Sequence, residues 1–355
     1  MNYESNLSSI AKVLKTPKMV RNYFEYQFFT NLKNKKVLYI HIPYCVRKCK
    51  YCVCQSTAES GKDEIVEYVR NIIISQINDY SESMEGMVFD QLYIGGGTPT
   101  ILSADELDEI FSVIPNFDKV PLKSIEASPE TVDDNHIDLL CKRGFSFVSI
   151  GVQSLDKAIC KKQNRYNVPK DKLINLSKKM LSTGMYFNYD LICFMDKGDI
   201  RDLPQFNEDL LFIMNECNPS SITIHQLQQS MFTCEKTRML QECIKKAIDQ
   251  SEKGYQCVNS MLNEEDIYND TVYQAEYRLA CRDYAFSHYM WNKYAALPVK
   301  GYDILSIGFT NQIHTISNVG SLFYSPGEDK IKMVNYNSFI YDDFNQIRKA
   351  KGFDI

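Results

Sequence analysis

The chain has 355 residues, a formal net charge of −5, 44% hydrophobic and 24% charged residues. That length can bury a full core in one or two domains, and the acidic balance argues against nucleic-acid binding as the main business. No run approaches a membrane span and the opening residues lack the apolar core of a secretory signal, so the twelve cysteines are expected to be reduced thiols in a cytoplasmic protein.

Residues 1–36 are polar and mixed, with helix expected over 17–33, and read as an N-terminal extension. From residue 37 short β-rich runs alternate with helical ones. The first strand, VLYIHI (37–42), leads into HIPYCVRKCKYCVCQ, where Cys45, Cys49 and Cys52 are spaced C-x3-C-x2-C. Three thiolates on one loop can hold three corners of a cube-shaped iron–sulfur cluster and leave the fourth iron open, whereas electron-transfer clusters are closed by a fourth cysteine. An open iron is a place where a small molecule can bind and receive an electron. Cys54 follows two residues on, where capping the same cube is difficult. A zinc site is the competing reading, but zinc usually takes four ligands, often as two C-x2-C pairs, and the sequence has no second such pair. Arg47, Lys48 and Lys50 are either a solvated loop or cations that lower thiolate pKa and offset cluster charge.

The next helical stretch carries Ile65, Val66, Val69 and Ile72–Ile74. The second strand, DQLYIGG (90–96), ends at Gly95, Gly96 and Gly97, followed by Thr98 and Pro99. Such a segment offers bare backbone against which a ligand can lie. Leu107, Ile110, Phe111 and Ile114 mark another amphipathic helix. The third strand, KSIEAS (123–128), holds Glu126, either a salt-bridged carboxylate or a ligand group at a strand end. The fourth, FSFVSIGV (145–152), runs into Gln153, with Arg165 in the segment after it. The fifth, YFNYDLICF (186–194), holds Asp190. The sixth, SSITIHQL (220–227), holds His225, read either as a hydrogen-bonded core histidine or as a proton carrier. Strands alternating with helices imply βα units and a parallel sheet, and in barrels of that kind chemistry sits at the carboxyl ends of the strands.

Beyond about residue 228 the alternation fades. A helical stretch (233–253) precedes a region with Tyr268, Tyr273, Tyr277, Tyr284, Tyr289, Trp291 and Tyr294, which either walls a flat aromatic pocket or packs as helical core. GYDILSIGFTNQIHTISNVG (301–320) follows.

Taken in order, YIHIPYC, the C-x3-C-x2-C-x-C run, YIGGGTPT, IEASPETV, SIGVQSLD, KKQNRY and NYDLI resemble the radical SAM superfamily. Within it they are similar to the oxygen-independent coproporphyrinogen III oxidase-like (HemN-like) family, closely over residues 37–195. The resemblance implies an α/β fold, a partial (β/α)6 barrel over 37–228, with a small C-terminal α+β extension over 229–355 that binds substrate. It implies a [4Fe-4S] cluster on Cys45, Cys49 and Cys52, and cleavage of S-adenosylmethionine (SAM) to a 5′-deoxyadenosyl radical. Gly95, Gly96, Gly97 and Thr98 then meet the amino-acid end of SAM and Glu126 its amino group. Gln153, Arg165 and Asp190 meet the ribose and carboxylate of that SAM or of a second one. Tyr39 occupies the family's tyrosine position, bearing on SAM and substrate, and His225 is the second catalytic candidate.

The partners implied are a small-molecule or tetrapyrrole substrate and an electron donor such as flavodoxin or ferredoxin, acting on a monomer without membrane or nucleic acid. The reaction expected is that of a C-methyltransferase or cyclopropanase using a second SAM on a natural-product or peptide substrate. A tetrapyrrole oxidase or haem-degrading enzyme and a haem-binding chaperone are the alternatives. The sequence departs from the family at ICFMDKG, where Gly-Leu-Pro is usual, and at Val53, where glycine stands. The oxidases' large C-terminal domain is expected to be missing or shortened.

Overall fold

A computed structural model describes residues 35–193 (except 53, 55 and 59), 203–226, 234–260, 276–281 and 302–308, short strands at 313–314, 321–324 and 331–334, and, from the expected helix at 17–33, helical residues 26 and 28–30. The tyrosine-rich run from Tyr268 to Tyr294, Tyr277 excepted, and the ICFMDKG run from 194 onward lie outside the described residues.

Six strands form where they were expected: β1 (Lys35–Ile42), β2 (Gln91–Gly96), β3 (Leu122–Ala127), β4 (Phe147–Gln153), β5 (Tyr186–Cys193) and β6 (Ser221–Gln226). They pair in chain order and all in parallel. Helices α1 (Lys62–Tyr68), α2 (Ala104–Val113), α3 (Asp134–Lys142), α4 (Lys157–Lys162), α5 (Lys170–Thr183) and α6 (Leu203–Phe212) fall between them. This is the partial (β/α)6 barrel that the resemblance implied.

The side-chain period of two sorts each strand into two faces. Leu38, Ile40 and Ile42, then Leu92, Ile94, Ile125, Val148, Ile150, Phe187, Leu191, Ile222 and Ile224 join one continuous core under the helices. The alternate positions are Tyr39 and His41, Tyr93, Ser124 and Glu126, Ser149, Asn188 and Asp190, Thr223 and His225. One face therefore binds the helices and the other is polar.

Helix starts are chemically marked. Ser103 caps α2 in a reciprocal box with Glu106, and Asp133 caps α3 with His136. α1 continues into a π-helical turn, Val69–Ile74. Its wider winding puts Ile73 in the core and leaves Ile72 37% exposed, so the apolar triplet 72–74 does not all face inward.

Strands from beyond residue 228 share the same sheet. After α7 (Cys234–Gln250) come β7 (Gln256–Ser260), β8 (Glu276–Ala280), β9 (Tyr302–Ile307), β10 (Ile313–His314), β11 (Ser321–Tyr324) and β12 (Ile331–Val334). β8 runs antiparallel to β6, and β9 runs parallel to β1 on the edge opposite β2. The segment 301–320 thus supplies a seventh parallel strand. It is tied down by a fully buried ion pair, Lys36 Nζ to Asp303 Oδ2 at 2.5 Å, with the ammonium 4.6 Å from the Phe28 ring centroid. Among the described residues no helix is long and apolar enough to cross a membrane.

Removing one member of a buried pair strands the other charge. Asp303→Ala is expected to cost about 3–5 kcal/mol of stability, whereas Lys36→Met with Asp303→Leu recovers most of it. Chemical denaturation of the three proteins checks this.

Candidate active site

The cysteine loop is closed at its neck by a bridge between Tyr44 and Thr57, with Cys45 N–H donating to Thr57 O (2.8 Å) and Thr57 N–H to Pro43 O (2.7 Å). Lys48 braces it from inside, its ammonium donating to Cys54 O (2.8 Å), Ser56 O (3.1 Å) and Ser56 Oγ (2.9 Å). Arg47 forks onto Glu130. Two of the three basic residues of this loop are therefore structural.

Each of the three cysteines receives a hydrogen bond at sulfur. Thr98 Oγ1 donates to Cys45 Sγ (3.4 Å), Arg165 Nη1 to Cys49 Sγ (3.8 Å), and the Cys54 thiol to Cys52. The last bond, helped by the Lys48 and Arg165 charges, holds the Cys52 thiol down at about 6. Donating it pushes the Cys54 thiol up. Burial raises Cys45. So Cys54 is a hydrogen-bond donor to a thiol held below its ordinary range.

The three cysteines line one cavity of about 250 Å³ with Cys54, Gly96, Gly97, Thr98, Glu126, Gln153, Arg165, Asp190 and His225. Eleven of the thirteen site residues singled out from the sequence meet there. Gly95 and Tyr39 are not among its lining residues, and Gly97 meets it while doing other work.

The glycines make room for the loop. A Cβ on Gly97 would stand 2.5 Å from Tyr44 O, and one on Gly96, at φ +115°, 2.8 Å from the His41 ring and 2.9 Å from Ile42 O. Their N–H groups are in use: Gly97 donates to Ile42 O (2.7 Å), Thr98 to Tyr44 O (2.7 Å) and Gly96 to Glu126 Oε2 (3.0 Å). The glycine run seats the chain leaving β1, so its effect on a ligand comes second to its effect on the cysteine loop.

Glu126 stands at the cavity wall with its other oxygen accepting from the Tyr93 hydroxyl. Burial pushes its carboxyl up to about 7, with Asp190 and Cys52 adding to the rise and the two hydrogen bonds opposing it. Tyr39 lies behind, stacked on Tyr93 (centroids 5.8 Å apart, 17° between planes) with its hydroxyl 2.8 Å from His41 Nδ1.

Across the cavity a polar network fixes Asp190. Ser149 Oγ donates to Oδ2 (2.8 Å) and Asn188 Nδ2 to Oδ1 (2.7 Å), while His225 Nε2 lies 3.8 Å from Oδ1. Asn188 Oδ1 accepts from Ser221 (2.8 Å) and Thr223 (3.0 Å), which settles the amide's orientation. At the end of β4 the register shifts and Gln153 takes φ +73°, a conformation costing a non-glycine residue about 1–3 kcal/mol. Arg165 donates to Gly151 O.

Two polar atoms beside the cavity have no partner although buried: Gln153 Oε1 and Arg165 Nε. A buried polar group left so is expensive, and a polar ligand satisfies it. Among the described residues no three His, Cys, Asp or Glu side chains converge as around a single ion. Three thiols on one short loop fit a cluster, which gives each thiolate its own iron. Tyr93, Ser149 and Asn188 were not singled out from the sequence. Their signal was a polar residue at every second position of a strand whose other face is apolar. His288 lies outside the described residues, as does the side chain of His314.

Residues 39–210 match the Radical SAM superfamily. The oxygen-independent coproporphyrinogen III oxidase of Pseudomonas aeruginosa is 33% identical over 140 residues, 38% of this chain and 30% of that protein. The heme chaperone HemW of Escherichia coli is 32% identical over 139 residues, 38% of this chain and 36% of that protein. The chain thus matches about a third of the length of these relatives. The coproporphyrinogen III oxidase HemN of Escherichia coli, a radical SAM enzyme, superposes with a TM-score of 0.65 at 20% identity, over 83% of this chain and 68% of that one. It shares the fold.

Gly96→Ala is expected to unseat the cysteine loop, because the methyl meets the His41 ring and Ile42 O. Iron bound after anaerobic reconstitution should fall severalfold, whereas Glu126→Ala, which removes one hydrogen bond of the junction but puts no atom between the glycines and the β1 exit, should retain most of it.

Proposed function

We propose that this chain, whose residues 39–210 match the Radical SAM superfamily, is an enzyme that cleaves SAM at a [4Fe-4S] cluster held by Cys45, Cys49 and Cys52. The observation that carries this is the single cavity in which those three thiols face Glu126, Asp190 and the unpartnered polar atoms of Gln153 and Arg165. When bound, the cluster and SAM supply an electron and a hydrogen-abstracting radical, chemistry that belongs to the cofactors. The chain's own residues bind, orient and exclude water.

In this reading ionised Glu126 takes the ammonium group of SAM, held for it by Tyr93 and the Gly96 N–H. Asp190, its lone pairs aimed by Ser149 and Asn188, accepts from ribose hydroxyls. Gln153 Oε1 and Arg165 Nε complete the polar contacts, the latter toward a carboxylate. His225, beside Asp190, is the group able to pass a proton to or from a substrate near neutral pH. Tyr39 acts through His41 and Tyr93 and so as a positioning residue.

For the substrate, the relatives, an oxidase of coproporphyrinogen III and a heme chaperone, support a tetrapyrrole-directed role, either oxidase-like or chaperone-like. The described cavity, about 250 Å³, is below the roughly 300–1,000 Å³ typical of one small-molecule ligand. That gives little support to a second SAM, so methyl transfer is the weaker reading.

The test is anaerobic incubation of reconstituted protein with SAM, dithionite and coproporphyrinogen III. Formation of 5′-deoxyadenosine with loss of carbon dioxide from substrate is expected. Cys45→Ala, Cys49→Ala and Cys52→Ala should each abolish it, and Cys54→Ala should keep it. Methyl-deuterated SAM labelling a product, with S-adenosylhomocysteine released, would establish methyl transfer instead. No 5′-deoxyadenosine from any substrate tried, with haem bound by the protein, would establish the chaperone.

Glu126 also gives SAM binding a pH dependence. Its carboxyl, raised to about 7 by burial, is protonated below that pH and cannot pair with the ammonium. SAM affinity should therefore rise with pH between about 6 and 8 and flatten above, approaching tenfold per unit on the acid side. The unliganded fold has the opposite trend, since a raised carboxyl contributes stability that is lost as pH rises through about 7. Calorimetric SAM titration of wild type and Glu126→Gln checks the first, and a flat profile is expected of the variant.

A further inference from the structure

The cations around the cysteine loop do different work. Arg47 is neutralised by Glu130, Lys48 is spent on Cys54 O and the two oxygens of Ser56, and Lys50 is exposed. Arg165, from the segment after α4, aims its charge at a cysteine sulfur, with Nη1 3.8 Å from Cys49 Sγ. Its Nη2 donates to Gly151 O, and its Nε is buried without a partner. Among the described residues this guanidinium forms no ion pair with a carboxylate, although buried charges are ordinarily paired.

The fold builds this placement. Arg165 leaves α4 through a turn in which Asn164 takes φ +51°. Lys50 N–H donates to Gln163 O (3.0 Å) and Asn164 Nδ2 to Lys48 O (3.0 Å), so the turn is docked on the backbone of the cysteine loop itself. Arg165 N–H donates back to Cys160 O (2.8 Å). Gly151 leaves room for the fork, since a Cβ there would stand 3.3 Å from Arg165 Nη2 and 2.8 Å from Gln153 Nε2. On the other side of the loop the neutral donor Thr98 Oγ1 lies 3.4 Å from Cys45 Sγ.

We infer that Arg165 is a positioning residue that sets the reduction potential of the cluster by holding a fixed positive charge and a hydrogen bond on Cys49, with Thr98 a weaker, neutral donor to Cys45. The inference rests on the proposed reading, in which these thiols hold a cluster. One-electron reduction adds a negative charge that spreads onto the sulfurs, and a cation with a sulfur-directed donor favours that state. Behind the cavity wall the charge of Arg165 is weakly screened, whereas that of Lys50 stands in water. Since Nη1 serves the thiolate and Nε remains for a ligand carboxylate, one guanidinium serves both sides of the site.

The test is a potentiometric titration of reconstituted protein with titanium(III) citrate and redox mediators, read by the electron paramagnetic resonance signal of the reduced cluster. SAM is left out, so any contact of Arg165 with SAM does not enter, and iron content is measured alongside. Arg165→Gln should lower the equilibrium constant for one-electron reduction at least about tenfold, a fall in potential of about 59 mV. Arg165→Lys, which keeps the charge but not the fork, should lie between that variant and wild type. Thr98→Val should fall by about threefold, and Lys50→Gln should stay at the wild-type value. Arg165→Gln at the wild-type potential with its cluster intact overturns the inference, as does an equal fall in Arg165→Lys or in Lys50→Gln. Should Arg165→Gln take up no iron, Thr98→Val decides, and a wild-type potential there overturns it. A wild-type chain that holds no cluster sinks this inference together with the reading of the enzyme. A cluster that shows these shifts but cleaves no SAM supports the inference and sinks the reading alone.

Discussion

The contact on which the rest depends is the one between the glycine run after β2 and the chain leaving β1. Gly96 and Gly97 lie so close to His41, Ile42 and Tyr44 that no side chain fits between. Three hydrogen bonds lock the approach, from Gly97 and Thr98 to the β1 exit and from Gly96 to Glu126. One junction therefore sets both the root of the cysteine loop and the position of the carboxylate that faces it. Thr98, at the far end of the same run, reaches Cys45. Moving the glycines moves thiols and carboxylate together, so the geometry between them is not left to a loop.

Around that junction the barrel is built from two kinds of order. The helix-facing sides of the strands form one apolar core, which fixes register because a one-residue slip would turn it outward. The opposite sides hold polar groups that are mostly satisfied by each other, as Asn188 is by Ser149, Asp190, Ser221 and Thr223. The exceptions are informative. Gln153 Oε1 and Arg165 Nε stay unpaired, and Gln153 keeps a strained backbone at a bulge. Unpaired polarity and strain at one place mark a site shaped for a ligand.

Much of this was legible in the sequence, for identifiable reasons. Strand and helix follow apolar period, so β1–β6 fell where their runs lay. Cluster ligands follow spacing, so three cysteines on one loop announced themselves. What could not be read was non-local. Nothing in YDILSI says that it pairs with β1 rather than another edge, and the buried Lys36–Asp303 pair joins residues 267 positions apart. The partner of Glu126 was equally hidden, because a tyrosine at position 93 reads as an ordinary strand aromatic until β2 and β3 are in register. The glycine run was read as ligand-facing backbone, since sequence shows a missing Cβ but not what occupies its place. Tyr39 was placed by resemblance at the cofactor, whereas it stacks behind Tyr93 and bonds to His41.

The central claim is that three cysteines leave one iron open for SAM. It is tested most directly by electron–nuclear double resonance on the reduced, reconstituted protein with SAM labelled at the amino nitrogen with ¹⁵N and at the carboxylate with ¹⁷O. The account predicts strong couplings to both nuclei in wild type and in Cys54→Ala, and none without Cys45, Cys49 or Cys52. A cluster that shows neither coupling with SAM present, or that acquires them only when Cys54 is removed, would contradict it.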